Sequence, residues 1–203
     1  EGVLPVALEK ATKLISLINE QIKIYDFEIK WGIQTTTDDR DGEILNISKN
    51  IPSKEIIEEN LKNFIGDILQ KPPKVSAVKV DGKRAYQRFR NNEDFETTTR
   101  LVKVYNLKFI DQPHRTISKI RVECGKGFYV RSFARDLADK LNTKAHIHSL
   151  KRVKVGNFTE KNSILLDDLL KISQMAIGIR GFHSSITMLD DIPAFEIDNN
   201  EML

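Results

Sequence analysis

At 203 residues, 40% hydrophobic and 30% charged, the chain can bury the core of one large domain, or of one domain with the start of a second, and falls outside the disordered class. Its single cysteine, Cys124, excludes an internal disulfide and a cysteine-based zinc site, and no run approaches the roughly eighteen apolar residues of a membrane span. With no charged-then-apolar signal pattern at the N-terminus, the expected setting is a soluble protein in a reducing cytoplasm.

Glu1 to Leu8 reads as mid-structure, with no starting methionine, so the true N-terminus is expected upstream. Leu8, Ala11, Leu14, Ile15 and Ile18 recur at helical spacing and predict an amphipathic helix to about Gln21. Tyr25, Phe27, Ile29 and Trp31 alternate with Asp26, Glu28 and Lys30, a strand with one buried face. Gly32 to Asn50 is polar and aperiodic and reads as a long surface loop of the kind that carries function. Helical period returns from Ser53 to Gln70, with Ser53 as N-cap and Pro72-Pro73 as the stop. Val75 to Val80 predicts a short strand ending at an Asp81-Gly82 turn, and Arg84 to Asn91 one or two helical turns. Strands follow at Leu101 to Ile110 and around Ile120, Val122 and Cys124, interrupted by Gly125-Lys126-Gly127. Arg131 to Leu141 is helical, with Ala134, Leu137, Ala138 and Leu141 on one face; His146 to Val155 predicts a strand and Ser163 to Ile172 a short capped helix. Without a regular βαβ rhythm, the expected class is α+β, a mixed and mainly antiparallel sheet flanked by helices.

The net charge of +3 says little, but its distribution says more. Seven basic residues lie between Lys71 and Arg90 (Lys71, Lys74, Lys79, Lys83, Arg84, Arg88, Arg90) against Asp81 alone. Five more, and no acid, lie between Lys140 and Lys154, while the tail from Leu189 is acidic. Two basic segments fit a polyanion footprint or ordinary solvated faces, and charge alone leaves both open. Asp39-Arg40-Asp41-Gly42 has the look of an EF-hand core, but Thr37 and Ser48 occupy the positions that require acids. His146 and His148 lack a third ligand nearby, and Gly125-Lys126-Gly127 lacks phosphate-loop spacing. Lys126 to Ser132 remains: a strand end, glycine, two aromatics, then an arginine opening a helix. An aromatic that stacks and a guanidinium that forks onto anions make a nucleotide-handling corner; a core Phe, an interface Tyr and a surface Arg are the plainer alternative.

Six blocks, in order from Gly2 to Phe158, resemble the TruB family of bacterial tRNA pseudouridine synthases. Gly2-Val-Leu-Pro5 with Ala11-Thr-Lys13 is similar to the segment after the family's catalytic aspartate, and Lys23-Ile-Tyr25 to its K-x-Y. Gly32 through Gly42 resembles the G-x-x-T-D-T-x-D-x-x-G loop, and Pro72 through Tyr86 resembles P-P-x-x-S-A-x-K-x-x-G-x-x-A-Y. Lys126 through Arg131 is similar to K-G-x-Y-[IV]-R, and Ala145-His146 with Leu150-Lys151-Arg152 to A-H-x-x-x-L-R-R. Thr36 departs from the pattern, standing where the family has the first aspartate of T-D-T-x-D; Asp39 keeps the second.

The resemblance implies a pseudouridine-synthase fold with an RNA-gripping insertion, a catalytic domain over residues 1–188 whose N-terminal part is missing, and 189–203 as a linker or the start of a small C-terminal RNA-binding domain. It implies isomerisation of the T-loop uridine at tRNA position 55 to pseudouridine, by a monomer with no cofactor, no metal and no obligate protein partner. The nucleophilic aspartate would sit four residues before Glu1, so the 203-residue chain itself is expected not to catalyse. Arg131 would pair with that aspartate and, without it, face solvent or an anion instead of an acid of this chain. Tyr25 would stack on the base and serve as general base at the sugar. Tyr129, Leu150 and Asp39 would contact the substrate, and Lys13, Lys79, Lys83, Arg84, Lys151 and Arg152 the RNA. A non-catalytic RNA-binding or tRNA-folding module with the same fold is the alternative, and a guide-RNA-dependent branch a third reading.

Overall fold

The alternation around Phe27, Ile29 and Trp31 puts these three side chains in the core of a six-stranded sheet. The computed structural model describes residues 1–170 together with 181, 183 and 184. In chain order, a 3-10 turn (Glu9–Leu14) runs into α1 (Ile15–Glu20), followed by β1 (Lys23–Trp31), β2 (Ile33–Thr35), β3 (Ile44–Ile47), α2 (Lys54–Leu61) and β4 (Gly66–Gln70). Next come β5 (Lys79–Val80), β6 (Lys83–Arg84), α3 (Ala85–Arg90), β7 (Arg100–His114), β8 (Ile117–Cys124), α4 (Val130–Lys140), β9 (Ala145–Val155), β10 (Phe158–Thr159) and α5 (Leu166–Leu169). The sheet order is β10-β9-β1-β8-β7-β4, with every strand pairing antiparallel; among the described residues, parallel backbone contact is confined to the isolated bridges Gly2–Arg152 and Asp39–Ile147.

α4 covers one face of this sheet. Its Phe133 ring meets Phe27 edge-on at 5.7 Å and Phe64 at 5.2 Å, and Val130, Ala134, Leu137 and Ala138 are buried with it. Truncating a phenylalanine so enclosed costs ~3–5 kcal/mol, so this contact anchors the helix that carries Arg131. The opposite face of β1 and β8 is polar, with Asp26 held by both arms of Arg121 at 2.6 and 2.7 Å.

Several segments differ from the sequence reading: of the strand expected at Val75–Val80 only Lys79–Val80 forms, and the first helix opens as a 3-10 turn before Ile15. The stretch 32–50 is not an irregular loop throughout, because β2 and β3 pair as a hairpin flanking the tighter turn at Thr35–Gly42. The helix from the Ser53 cap ends at Leu61, and Gly66–Gln70 joins β7 as the edge strand, entered through Gly66 at φ 101°. A short segment with three apolar residues, Ile65, Ile68 and Leu69, satisfies either period, and the exposed edge of β7 decides between them. The last helix starts after Leu165, which offers no side-chain cap, and not at Ser163; its proposed end at Ile172, like the linker 189–203, lies outside the described residues. The Asp81-Gly82 turn is as expected: φ values of 47° and 83° make the mirror-image turn that joins β5 to β6. Among the described residues no helix is long and apolar enough to cross a membrane.

Candidate active site

The start of α4 and the Thr35–Gly42 turn meet through two arginines one helical turn apart. Gly127, at φ 81°, reverses the chain after β8 so that Tyr129 enters α4 in extended conformation and Arg131 projects from its first turn. Arg131 Nη1 donates to Asp39 Oδ2 at 3.1 Å and to Thr37 O at 3.2 Å, while Nη2 donates to Val75 O at 2.7 Å. Arg135 repeats the arrangement with Asp38 Oδ2 at 3.2 Å and Lys71 O at 2.8 Å. The expectation of an Arg131 without an acidic partner in this chain is therefore corrected. The pair is 92 residues apart in sequence, and the turn brings Asp39 to the guanidinium, which is mostly buried and needs the charge.

The turn is built for that presentation. Thr37 Oγ1 donates to Asp39 Oδ1 at 2.5 Å, and Asp41 N donates to the same oxygen at 3.2 Å, leaving Oδ2 for Arg131. Thr36 accepts from Glu43 N at 3.1 Å, so the residue that departs from the family pattern still closes the turn. A Cβ on Gly42 would come within 2.7 Å of Thr37 N, which explains the glycine. The loop docks on β9 through Ile147 N to Asp38 O at 3.0 Å and Arg40 N to Ile147 O at 3.1 Å. Asp38 is buried, and burial pushes its carboxyl above the usual carboxylate range, with Arg135 and then Arg131 pulling it back.

Arg131, Asp39, Arg40, His148, Leu150 and Lys151 share a cleft of about 1080 Å³. Tyr25 and Tyr129 are not among its lining residues. Tyr25 is half-buried on the core face of β1, two residues from Phe27, which does line the cleft. Opposite it stands Arg152, whose charge favours the ionised hydroxyl and which donates through Nε to Val3 O at 2.8 Å. Burial, then the neighbouring Cys124, pushes the Tyr25 hydroxyl above its usual range, with Arg152 opposing. The backbone of Tyr129 is gripped by Gln70, whose amide accepts from Tyr129 N at 2.8 Å and donates to Tyr129 O at 3.1 Å.

Of the basic residues singled out, Lys13 is exposed on the 3-10 turn and Lys79, Lys83 and Arg84 are exposed on the β5–β6 hairpin. Acids partly neutralise the basic stretch, Asp81 from within it and Glu93 and Glu96 from beyond it: Lys83 lies 3.6 Å from Glu93, Arg88 bridges Asp81 and Glu93, and Lys71 pairs with Glu96 at 3.0 Å. Lys151 pairs with Glu160 at 2.6 Å. His146 Nδ1 is 2.9 Å from Ile33 O, tying β9 to β2. Among the described residues no group of three or more His, Cys, Asp and Glu side chains is placed to hold a metal. Sequence reasoning missed Asp38, Arg135 and Gln70. Arg135, four residues after Arg131 on the same helix, is the one signal in the chain that pointed to a second pair.

Residues 1–130 match the model of the TruB family pseudouridylate synthase N-terminal domain, and residues 131–178 that of the tRNA pseudouridylate synthase B C-terminal domain. The chain belongs to the TruB family. The boundary between the two matches falls inside α4, and β9 beyond it pairs with β1 before it. The TruB-family relatives include a tRNA pseudouridine synthase B of Caulobacter vibrioides, 42% identical over 98% of this chain and 64% of the relative. Another, from Bradyrhizobium diazoefficiens, is 39% identical over 97% of this chain and 58% of the relative. The chain thus spans about 64% of the length of the Caulobacter protein. Among solved structures, a Cbf5–Nop10–Gar1 complex matches with a TM-score of 0.61 and 29% identity, covering 84% of this chain and 41% of that one. The α+β pseudouridine-synthase fold is the one this TruB-family chain adopts.

Proposed function

We propose that the protein to which this chain belongs isomerises the T-loop uridine of tRNA, at position 55, to pseudouridine. The observation that carries the reading is in the cleft, where three hydrogen bonds fix the Arg131 guanidinium, one to Asp39 and two to the carbonyls of Thr37 and Val75, with Leu150 in the same lining. Relatives named tRNA pseudouridine synthase B support the choice of substrate.

The reaction leaves the composition of the nucleotide unchanged. The bond from C1′ to N1 breaks, the base turns, C1′ bonds to C5, and the hydrogen on C5 leaves as a proton while N1 gains one. A closed pocket must retain the free base, and the target uridine must first be extruded from its stack. The carboxylate that attacks or stabilises the ribose is the family aspartate expected four residues before Glu1. The direction of the N-terminal segment supports that assignment. Glu1 N donates to Leu150 O at 3.1 Å and Val3 N to Arg152 O at 2.7 Å, a parallel run along β9. Continued upstream, it heads for Ile147 and His148, the stretch of wall where Asp39 docks. Arg131, fixed by Asp39, would hold that carboxylate ionised and oriented. Tyr25 is a neutral phenol near neutral pH, suited to stacking. Its work as general base at the sugar rests on Arg152, whose charge stabilises the phenolate. Lys13, Lys79, Lys83, Arg84 and Lys151 would contact phosphates, and Arg152 serves Tyr25 as well as RNA.

The test uses the full-length protein and a T-arm stem-loop tritiated at uracil C5. Tritium release, abolished when the target uridine is replaced by cytidine, is the expected result. Binding of the stem-loop without release would instead establish a non-catalytic RNA-binding module.

A further inference from the structure

Gln70 ends β4, is 1% exposed, and commits both ends of its amide to one residue, Tyr129. Oε1 accepts from Tyr129 N and Nε2 donates to Tyr129 O, which is how a neighbouring strand would pair there. A side chain thus extends the sheet by one rung onto the residue that opens α4. Tyr129 has no side-chain cap on this helix, so its extended backbone depends on that clamp for its direction. The next residues repeat the attachment. Lys71 O accepts from Ser132 Oγ at 2.8 Å and from Arg135 Nη2 at 2.8 Å, and Val75 O accepts from Arg131 Nη2 at 2.7 Å. Segment 70–75 is also the root of the insertion that carries Lys79, Lys83 and Arg84.

We propose that Gln70 is a positioning residue of the uridine site: it holds the backbone of Tyr129, sets where Arg131 enters the cleft, and ties that arginine to the root of the basic insertion. The proposal rests on the pseudouridine-forming reading of the cleft. Apolar packing does not explain the residue, because Leu69 beside it is 70% exposed and only Ile68 of this strand packs against the core. A fully buried amide with both groups paired to a single backbone residue specifies a geometry, and loses that specification when either group is changed.

In the full-length protein, Gln70→Glu keeps the shape and the acceptor for Tyr129 N but removes the donor to Tyr129 O. Single-turnover conversion of saturating T-arm should fall about tenfold or more, with affinity for the stem-loop within about twofold of wild type. Ile57→Val, in the α2 core away from the cleft, provides a destabilised control that keeps its rate. A Gln70→Glu protein that converts within about twofold of wild type overturns the proposal, as does a rate loss no larger than that of a control with equal loss of stability. If Gln70→Glu does not fold, Ser132→Ala cuts the adjacent tether with little change of volume, and an unaltered rate there overturns the proposal instead. Backbone hydrogen exchange at Arg40 and Asp41, whose amides donate to Ile147 O and Asp39 Oδ1, separates this idea from the reaction itself. The exchange should quicken in the Gln70 variant whether or not tritium is released, because it reports how firmly Arg131 holds the turn. Unchanged exchange sinks the positioning role, whereas absent tritium release in wild type sinks only the assignment of the reaction.

Discussion

Replacing Arg131 with lysine keeps the charge and removes the fork, so it measures what geometry contributes at this site. The guanidinium donates in two directions at once: Nη1 toward Asp39 Oδ2 and Thr37 O at 3.1 and 3.2 Å, and Nη2 toward Val75 O at 2.7 Å. A lysine ammonium on a shorter reach can follow one of these directions and leaves the other carbonyls without a donor. Hydrogen bonds involving a charged group contribute ~1.5–3 kcal/mol each. The Arg131 side chain is 23% exposed and that of Asp39 28%, so water recovers part of the loss. Losing two contacts at the low end of that range gives about 2–3 kcal/mol of stability. If the same geometry orients the attacking carboxylate, about 2.7 kcal/mol of transition-state stabilisation corresponds to about a hundredfold slower single turnover. Urea unfolding and tritium release on the same full-length preparation read the two effects separately. A stability loss under ~0.5 kcal/mol, the ordinary range of surface substitutions, together with turnover close to wild type, would refute the reasoning. A double-mutant cycle with Asp39→Ala should return a coupling of ~0.5–3 kcal/mol, because the two side chains are in direct contact.

Tyr25→Phe keeps the ring and removes the hydroxyl whose ionised form the Arg152 charge favours; single-turnover conversion should collapse while stem-loop affinity holds, and near-normal turnover would reduce Tyr25 to a stacking surface. Lys83→Ala with Arg84→Ala should flatten the salt dependence of T-arm binding by roughly 0.7–0.9 log units per lost phosphate contact. An unchanged slope would remove the β5–β6 hairpin from the RNA footprint. The hydrogen bonds from Arg121 hold the Asp26 carboxyl below its ordinary range, so the pair's contribution is present above the unfolded value and is lost as pH falls through the folded one. Asp26→Asn should therefore lower stability at neutral pH, by ~1 kcal/mol at most for so exposed an arginine. The gap from wild type should close below the usual aspartate range; a gap that persists in strong acid would assign the effect to packing.

The sequence alone determined the elements whose period is long and unambiguous. β1 and β8 alternate cleanly because one face of each is buried, and α4 keeps its apolar stripe for three turns. The turn at Asp81-Gly82 was readable because only a few residue pairs tolerate two consecutive positive φ angles. The family, the α+β class and the order of the motifs also followed from residue identity. Tertiary structure alone decided what depended on a partner distant in the chain. Gly66–Gln70 became a strand because β7 offered an unpaired edge, not because its own residues favour one. Asp38 and Asp39 lay in a segment that read as a long surface loop, and only folding set them against Arg135 and Arg131, 97 and 92 positions away. Gln70 carried no signal at all in one dimension. A charge or an amide acquires its meaning from what faces it when water is excluded, and that facing group is chosen by the packing of the whole sheet against α4.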